Sequence, residues 1–548
     1  MNLHAFALRA SFGVAVLASP TPLSAQLRER ADMTPLTETQ RIQHVLSRFA
    51  FGATPGQIEV VRKMGLDAWF EKQLEAGFRE PYELSEKLRQ LETLELSSQD
   101  LLANYNPPNP GRRGTPKERR DYRMLRSLPR GQLRDAIVWR AALSANQLRE
   151  VMTDFWRNHF NVDLNKGLCR YYAVDYEREA LRKNVFGDFG TMLEATAKHP
   201  AMLVYLDNAL SRRPPSKQDL KEVERKTRRR TGSRERAAEA VNIAEQRGLN
   251  ENYARELLEL HTLGVDNYYR QKDVIEVAKA LTGWTVQNNP KYPVGFLFRE
   301  RMHVLGPKKF LGRKLQRDRK NPLLEGEIVI RRLVKHPGTA RFVAWKLCRY
   351  IVDDYPSEAL VKRLASAFKK GKGDLKTLYR AIYKDPEFFE PYYYQSKFKR
   401  PLEFVISALR VTGAEVDQPG MALQTMALLQ EPLYEQEDPT GYHDTAEAWN
   451  DPGVMAVRWQ FAMNLATGKL RGIKVPEKFY QGLHPRIPRV WKDQLARRVL
   501  PAGMGEKTSR IMDRMMRRYL EGKPNPKVTE LGPYILGLLL GSPEFQRQ

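Results

Sequence analysis

Cysteine is scarce in this chain of 548 residues, which contains only Cys169 and Cys348. Two cysteines so far apart in the sequence cannot form a zinc site by themselves. They leave two alternatives open. A disulfide would be permitted if the protein is exported, whereas the apolar helical residues around Cys348 favour two buried thiols.

The sequence motifs of several common enzyme classes are also absent. The chain has no His-Glu-x-x-His, no Gly-x-Ser-x-Gly, no Walker phosphate loop and no Gly-x-Gly-x-x-Gly. A ferritin-like di-iron site needs two Glu-x-x-His pairs, and this chain has one, from Glu300 to His303. The sequence therefore indicates no metal site and identifies no cofactor.

Long apolar runs are missing after the first 25 residues, since none reaches the ~18 residues that a membrane-spanning helix needs. Residues 1–25 resemble a secretory signal peptide: Arg9 precedes an apolar run at 10–18, a Ser-Pro-Thr-Pro segment follows, and Ala25 offers a small residue for cleavage. The alternative is a frayed N-terminal helix. A cleaved signal peptide predicts a periplasmic or secreted protein without a later transmembrane segment.

Acidic residues are outnumbered, with 65 Asp and Glu against 91 Lys and Arg and a net charge of +26. Such an excess favours polyanions as partners, including acidic envelope or extracellular polymers, anionic lipids and nucleic acid. Export argues against nucleic acid, for which charge is the sole indication. The sequence therefore favours an anionic polymer of the cell envelope or its surroundings.

Two segments concentrate the basic residues. Residues 104–130 start with Asn-Tyr-Asn-Pro-Pro-Asn-Pro-Gly and continue with clustered arginines, which predicts a basic loop. Residues 211–248 are predicted to be a basic, mobile and solvated insertion, because 211–236 contain eleven Lys and Arg, four Asp and Glu and almost no apolar residue.

Apolar residues recur at helical spacing through most of the chain, which predicts a mainly α protein, a multi-helix array over a single region at 37–548. The clearest helix is predicted from Ser144 to Phe160, where Ser144 and Gln147 make a capping box and the apolar stripe runs from Leu148 to His159. A histidine in such a stripe is ordinarily a core residue, with proton transfer as the alternative. Alternating apolar residues and a Gly-Pro turn predict one small β-hairpin near 294–312.

The stretch from Asn250 to Gly264 is the one around which we expect the chain to be organised. Asn250 is a good helix N-cap and Gly264 a good stop signal. The polar face of this helix places Arg255 with Glu256 and Glu259. The simplest interpretation is a solvated face with an Arg255–Glu259 ion pair. The alternative is a polar cluster that faces a cleft.

The run Asn-Glu-Asn-Tyr-Ala-Arg-Glu-Leu-Leu-Glu-Leu-His-Thr-Leu-Gly-Val at 250–265, followed by Ala-Leu-Thr-Gly-Trp at 280–284, resembles the signature of the bacterial domain-of-unknown-function 1800 family. Similar motifs lie at 155–162 and 199–208, so the resemblance extends from about residue 37 to the end. It implies a helix-rich, exported protein without established activity. It also implies a possible partner, a second exported protein that is sulfatase-like.

The resemblance raises one difficulty at His303. The family has a histidine–aspartate pair near this position, followed by a lysine, and this chain has Val304 in place of the aspartate. Any mechanism that needs that carboxylate is therefore in doubt.

Three functions remain open. The first is an exported helical protein that binds an anionic polymer or a partner protein in the envelope. The second is an acid–base hydrolase or lyase acting on a glycan, in which a carboxyl group with a raised pKa acts as the acid, Arg255 stabilises negative charge and Trp284 stacks on a sugar ring. The third is nucleic-acid binding. The candidate catalytic residues are Glu256, Glu259, His159 and His303, and the candidate binding residues are Asp207, Asn208, Asn250, Asn252, Arg255 and Trp284.

Overall fold

The computed structural model describes residues 34–245, 248–265, 268–315, 320–484, 487–501, 503–523 and 526–548. The predicted signal peptide at 1–25 lies outside the described residues. Within them the protein is mainly α, as the sequence predicts, and its β structure consists of three two-stranded antiparallel sheets. No helix of the described part is both long and apolar enough to cross a membrane.

The α-helices follow one another with short connections. They are α1 Glu38–Arg48, α2 Gln57–Met64, α3 Leu66–Leu74, α4 Tyr82–Arg89, α5 Ser98–Tyr105, α6 Pro116–Leu143, α7 Gln147–His159, α8 Cys169–Asp175, α9 Phe189–Lys198, α10 Pro200–Tyr205, α11 Lys217–Thr231, α12 Arg234–Glu245, α13 Asn252–Leu258, α14 Gln271–Leu281, α15 Leu324–Val334, α16 Pro337–Ile351, α17 Glu358–Lys370, α18 Leu375–Lys384, α19 Pro401–Thr412, α20 Gly420–Leu428, α21 Pro452–Ala466, α22 Trp491–Val499, α23 Glu506–Gly522 and α24 Val528–Leu540.

Two stretches are π-helical, Tyr176–Arg182 after α8 and Glu259–Leu263 after α13. Short 3₁₀ helices occupy Asn208–Leu210, Glu300–Met302, Pro386–Phe389, Pro391–Tyr393, Ala446–Ala448, Glu477–Tyr480 and Pro488–Val490. The strands are β1 Trp284–Gln287, β2 Gly295–Phe298, β3 Lys309–Phe310, β4 Arg313–Lys314, β5 Glu415–Val416 and β6 Ile473–Lys474.

The region of the predicted β-hairpin contains two hairpins. The alternating residues around Phe296 form β2 as expected, but β2 pairs with the preceding strand β1, with Trp284 opposite Phe298. The strands β3 and β4 form a second, very short hairpin at 309–314. The two strands are equally long, at four residues each, and β1 lies outside the predicted range of 294–312 because pairing with β2, not local propensity, defines it.

The prediction of a basic loop at 104–130 is wrong beyond residue 115. Helix α6 begins at Pro116 and continues for 28 residues. The Thr115 hydroxyl caps it by accepting a hydrogen bond from the Glu118 main-chain N–H. In turn, the Glu118 carboxylate accepts a hydrogen bond from the Thr115 N–H. Arginine has a high helix propensity, so clustered arginines extend a capped helix instead of interrupting it.

The basic insertion at 211–248 contains regular structure that its prediction as a mobile segment did not include. Helices α11 and α12 pack on each other as a hairpin, with Gly232 in the left-handed conformation at the end of α11 (φ 68°). Its prediction as solvated agrees with the structure, because α11 has no buried residue. Lysine, arginine and glutamate all favour helix, so low hydrophobicity alone did not rule out helical structure.

The core is built around two helices. Helix α7 has twelve of its thirteen residues buried, and all twelve residues of α19 are buried. Both helices carry charged side chains into the interior, which burial permits only when they are paired. The helix predicted from Ser144 to Phe160 is present, but it begins at Gln147 with Asn146 at the N-cap position, so the predicted capping box of Ser144 and Gln147 is wrong.

Candidate functional site

The central polar helix ends at Gly264 as predicted, but it starts one residue later than predicted, with Glu251 instead of Asn250 at the N-cap position. Asn250 accepts a hydrogen bond from the Asn252 main-chain N–H at 2.8 Å and so covers the start of α13. The helix changes to π geometry at Glu259 and stops at Gly264, whose φ is 74°. A Cβ atom at Gly264 would lie 2.8 Å from the Phe342 ring, so packing as well as backbone conformation requires glycine there.

Arg255 does not pair with Glu259, and the prediction of that ion pair is wrong. The Arg255 guanidinium lies 3.7 Å from Glu251 and 2.8 Å from the side-chain oxygen of Gln271. The Glu259 main-chain N–H still bonds to the Arg255 carbonyl oxygen, as in an α-helix, so the two side chains are separated by their other partners and not by the backbone. Glu259 instead accepts a hydrogen bond from the Tyr269 hydroxyl at 3.2 Å.

Glu256 has an altered protonation equilibrium. Burial, followed by the negative charges of Glu259 and Asp438, raises its pKa to about 7, and Arg255 opposes this only in part. Glu256 is half-buried. At neutral pH this carboxyl group is thus close to half-protonated, which is the condition that a general acid or base needs.

The loop at 435–442 brings Asp438 to this cluster. The Asn161 side chain donates to the carbonyl oxygens of Gln436 and Asp438, both at 2.9 Å. The Asn158 side chain donates to the Tyr442 carbonyl at 2.8 Å and accepts from the Tyr442 N–H at 2.7 Å. The asparagines of the segment at 155–162 therefore fix a loop, a role that sequence analysis missed because their partners lie far along the chain.

His159 is a core residue. Its side chain is surrounded by aromatic rings, with the Phe160 ring centroid 4.5 Å and that of Trp156 5.2 Å away. Burial, and next the charge of Lys346, hold its pKa well below the usual histidine value. The Nε2 atom lies 3.2 Å from the His261 carbonyl oxygen, while Nδ1 has no partner among the described residues. This is the ordinary interpretation of its place in the stripe, and it puts His159 outside the Glu256 cluster.

His303 belongs to a buried group that the sequence did not reveal. Its Nδ1–H donates to the Thr282 carbonyl oxygen at 2.8 Å, and its Nε2 lies 3.2 Å from Glu325 of α15. The Lys308 ammonium lies 2.5 Å from the same Glu325 oxygen. Burial alone would raise the pKa of Glu325, but His303 and Lys308 outweigh it and hold that pKa below its usual value. A carboxylate therefore does contact His303, although it does not come from position 304.

Trp284 is fully buried, so the prediction that it stacks on a sugar ring is wrong. Its indole packs against α15, where a Cβ on Gly326 would come within 2.4 Å of the ring. Asn208 is also fully buried and donates to the carbonyl oxygens of Leu281 and Trp284 at 3.2 and 3.0 Å. Both residues hold β1 in place.

The other predicted binding residues have separate positions. Asp207 forms an ion pair with Lys166 at 2.6 Å, and its carbonyl oxygen lies 3.4 Å from the Asn250 side-chain nitrogen. Asn252 is exposed. The structure thus brings Arg255, Glu256 and Glu259 together on one helix. The hydrogen bonds and packing of Asp207, Asn208, Asn250 and Trp284 instead support the surrounding structure.

A buried ionic network between α7 and α19 is the largest feature that sequence analysis missed. Arg157 donates to Glu177 with two nitrogens at 2.8 and 3.0 Å and to Asp154 at 2.9 Å. Arg400 contacts Asp154 as well and reaches Glu431 at 3.1 Å. A cavity of about 20 Å³ adjoins this network, which is room for roughly one water molecule. The network connects helices and does not form a ligand pocket.

The first half of α6 carries a groove of about 540 Å³ that we call the arginine face. Its described lining residues include no carboxylate; they are Arg120, Tyr122, Arg123, Met124, Arg126, Ser127, Arg130 and Arg170. Burial, and next the like charges of Arg134 and Arg170, lower the pKa of Arg130. Arg120 lies 3.9 Å from Asp121, whereas the other four arginines form no ion pair among the described residues, so the arginine face collects positive charge that is neutralised only in part.

The described residues contain no group of three or more His, Cys, Asp or Glu side chains that could hold a metal ion. Cys169 and Cys348 are free, buried thiols, so they form no disulfide. Burial raises the pKa of Cys169 to about 12, which keeps this thiol protonated and unreactive.

Comparison with known proteins identifies one matching family, whose function is unknown. A family model described as a protein of unknown function (DUF1800) matches residues 44–547. Neither the curated proteins nor the solved structures contain a match to this chain.

Proposed function

Because the chain belongs to the DUF1800 family of proteins of unknown function, we propose its function from its own geometry: it is an exported, periplasmic or secreted protein that binds an anionic polymer along the arginine face. The observation that carries the proposal is the set of five arginines on one groove whose described lining has no carboxylate. The net charge of +26 supports it by attracting polyanions from a distance.

The arginine face differs from an ordinary basic surface. Several exposed cations elsewhere on the protein have local acidic partners, as Lys226 has in Glu222 and Lys183 in Glu179. On the arginine face, the Arg126 guanidinium bonds to the Tyr171 hydroxyl at 3.1 Å, an uncharged partner. Arginine is well suited to sulfate, phosphate or carboxylate groups because its planar fork can make two parallel hydrogen bonds.

Removal of two arginines from this face is expected to weaken polymer binding selectively. We expect the double variant Arg123→Gln/Arg130→Gln to bind dextran sulfate more weakly, at about 1 kcal/mol per arginine, or roughly 30-fold in all. Isothermal titration calorimetry at fixed ionic strength measures this change, with uncharged dextran as the reference polymer.

A matched control tests whether the position of the charges matters. The variant Lys369→Gln/Lys370→Gln removes the same charge from exposed residues at the end of α17. Its affinity for dextran sulfate should stay within about twofold of the unaltered protein, because exposed charges beyond a Debye length are screened. Equal weakening in both double variants would show that net charge alone binds the polymer, and the proposal would be abandoned.

A second candidate function, acid–base catalysis on a glycan, is favoured by the pKa of about 7 at Glu256. Glu259 and Asp438 supply the neighbouring negative charges, and Arg255 is directed to Glu251. Such a carboxyl group can donate and accept a proton at neutral pH. The effect of this raised pKa on the stability of the fold can be measured without knowing the substrate.

Glu256→Gln is expected to raise the melting temperature at pH 8 and to leave it nearly unchanged at pH 4.5. The folded-state pKa of Glu256 lies above the unfolded value of about 4.5, so folding is penalised once the pH rises through that window. Glutamine removes the penalty. Since Glu256 is only half-buried, we discount for solvent screening and expect a rise of roughly 1–2 °C.

Glu251→Gln is the control, because it removes the same charge from the start of the same helix. Calorimetric scans of both variants at the two pH values make the comparison. A lower melting temperature for Glu256→Gln at pH 8 would mean that the carboxylate supports the fold, and acid–base catalysis would lose its supporting observation.

A further inference from the structure

A second cavity is lined by residues that lie far from the central helix in sequence. Its volume is about 630 Å³, within the range of small-molecule pockets. Residues at the end of α1 and the start of α2 form one side, and segments near 478–481, 497–501 and 544–547 form the other. Apolar side chains such as Val411, Phe479 and Phe545 share the lining with basic ones.

Lys399 is the buried cation of this cavity. Its main chain is fixed, because its N–H donates to the Gln546 carbonyl at 2.9 Å and its carbonyl accepts from Arg458 at 2.7 Å. The residue is 7% exposed, and its ammonium lies 3.9 Å from the centroid of the Phe545 ring. No carboxylate of the described residues lies within ion-pair distance of it. A buried cation without an ionic partner is unfavourable unless something neutralises it.

The acidic groups of the cavity lining are already engaged. Glu59 forms an ion pair with Arg62, and Glu544 accepts from the Gly505 N–H at 2.9 Å and the Thr508 hydroxyl at 3.1 Å. Lys478 and Arg497 are exposed members of the lining and add positive charge at its edge. The cavity therefore combines an apolar surface with a positive potential.

We propose that this cavity binds a small organic anion, with the carboxylate or phosphate group against Lys399 and the apolar part against Phe479, Phe545 and Val411. These four residues are all buried, with exposures of 4–9%. This site is separate from the arginine face, and its ligand is a molecule of drug-like size, since a cavity of this volume has no room for a polymer chain.

Burial lowers the pKa of Lys399 to about 7; Glu403 opposes this shift and Arg458 adds to it. An anion beside the ammonium favours its charged form, so binding draws a proton onto Lys399 above pH 7. Affinity is therefore expected to be full at pH 6 and to decrease towards pH 8.5. The charged groups near this site are Glu403 of α19, Arg458 of α21, Glu544 and Arg547 of the C-terminal segment, Glu59 and Arg62 of α2, and Lys478, Arg497 and Arg498.

The proposal is tested by calorimetric titration of the full chain with octanoate and octyl phosphate, with octan-1-ol as the uncharged reference. We expect at least one of the two anions to bind with Kd below about 1 mM, and the better of the two identifies the head group. Octanol should bind at least tenfold more weakly. Absence of binding by both anions, or equal binding of octanol, would overturn the proposal.

The variant Lys399→Met removes the charge and keeps much of the side-chain length. We expect it to fold, because replacing an unpaired buried cation with an apolar side chain removes a desolvation cost, and to bind the anion at least tenfold more weakly. Lys474→Met, which removes an exposed lysine of β6 outside the cavity, should bind within twofold of the unaltered protein. Unchanged affinity in Lys399→Met contradicts the proposal.

A measurement on the unaltered protein gives an independent result. Acetic anhydride at pH 7 should acetylate Lys399 more readily than an ordinary lysine, since a lysine with pKa about 7 is about half unprotonated there. Saturating octanoate or octyl phosphate should protect Lys399, and peptide mass spectrometry measures the extent. Equal acetylation of Lys399 with and without the bound anion would place the anion elsewhere.

Discussion

Arg157→Met is expected to lower the free energy of unfolding at pH 7 by about 3–5 kcal/mol, the usual cost of removing one partner from a buried ion pair. Arg157 makes two hydrogen bonds to Glu177 and one to Asp154. Glu177 has a side-chain exposure of 1%, so the variant leaves a carboxylate without its cation and without water. Chemical denaturation monitored by circular dichroism measures the loss.

The loss should become smaller as the pH falls. In the unaltered protein burial raises the pKa of Glu177, but the charge of Arg157 outweighs burial and lowers it. Its stabilising contribution is therefore present above the unfolded pKa and is lost at low pH. Without Arg157 burial prevails and the folded-state pKa rises, so acidification neutralises the carboxylate and relieves the penalty. The difference between the two proteins should thus narrow from pH 7 to pH 5.

Arg380→Met provides the matched control. Arg380 also makes two hydrogen bonds to one carboxylate, that of Glu71, but the two side chains are 33% and 43% exposed. Solvent can replace the lost partner, so we expect a cost below about 1 kcal/mol. If both variants lost similar stability, burial would not be the source of the Arg157 effect.

Lys308→Met is expected to have a comparable cost, about 3–5 kcal/mol at pH 7. The ammonium lies 2.5 Å from Glu325, and both side chains are at most 4% exposed. Its removal leaves the Glu325 carboxylate facing His303 at 3.2 Å. Chemical denaturation at pH 7 monitored by circular dichroism measures the loss.

The double variant Lys308→Met/Glu325→Gln separates charge from packing. A glutamine amide at position 325 can donate to Nε2 of His303, whose Nδ1–H is already bonded to Thr282. We therefore expect the double variant to be more stable than Lys308→Met alone by at least about 1 kcal/mol. Additive losses would indicate that lysine packing, not its charge, is what the group needs.

Local signals predicted the helices well where one rule dominates. The segments at 147–159 and 250–264 have a regular apolar stripe or a clear start and stop, and both form helices. Thr115 followed by Pro116 and Glu118 is an equally clear helix start. The arginines that follow suggested a solvated loop, although high charge does not oppose helix formation. The loop prediction at 104–130 was wrong because it gave more weight to the composition of the segment than to the helix-capping residues within it.

Contacts between distant residues were beyond the sequence. Asp154 and Arg400 are 246 positions apart, and Glu325 approaches His303 from a different helix. Nothing in the spacing of either pair predicts its contact, because tertiary packing determines it. The raised pKa of Glu256 was anticipated through Glu259, but the contribution of Asp438 depends on a loop that Asn158 and Asn161 hold in place.

The two π-helical stretches, Tyr176–Arg182 and Glu259–Leu263, have a consequence for how this sequence can change. A π turn accommodates more residues than an α turn, so deletion of a single codon within 259–263 would convert the turn to α geometry. Glu259 and His261 both lie in this turn, so its conversion to α geometry would move at least one of them. Chain length at these stretches is thus under a constraint as strict as residue identity in the core. We expect insertions and deletions among related sequences to be excluded there and to collect in the exposed hairpin of α11 and α12.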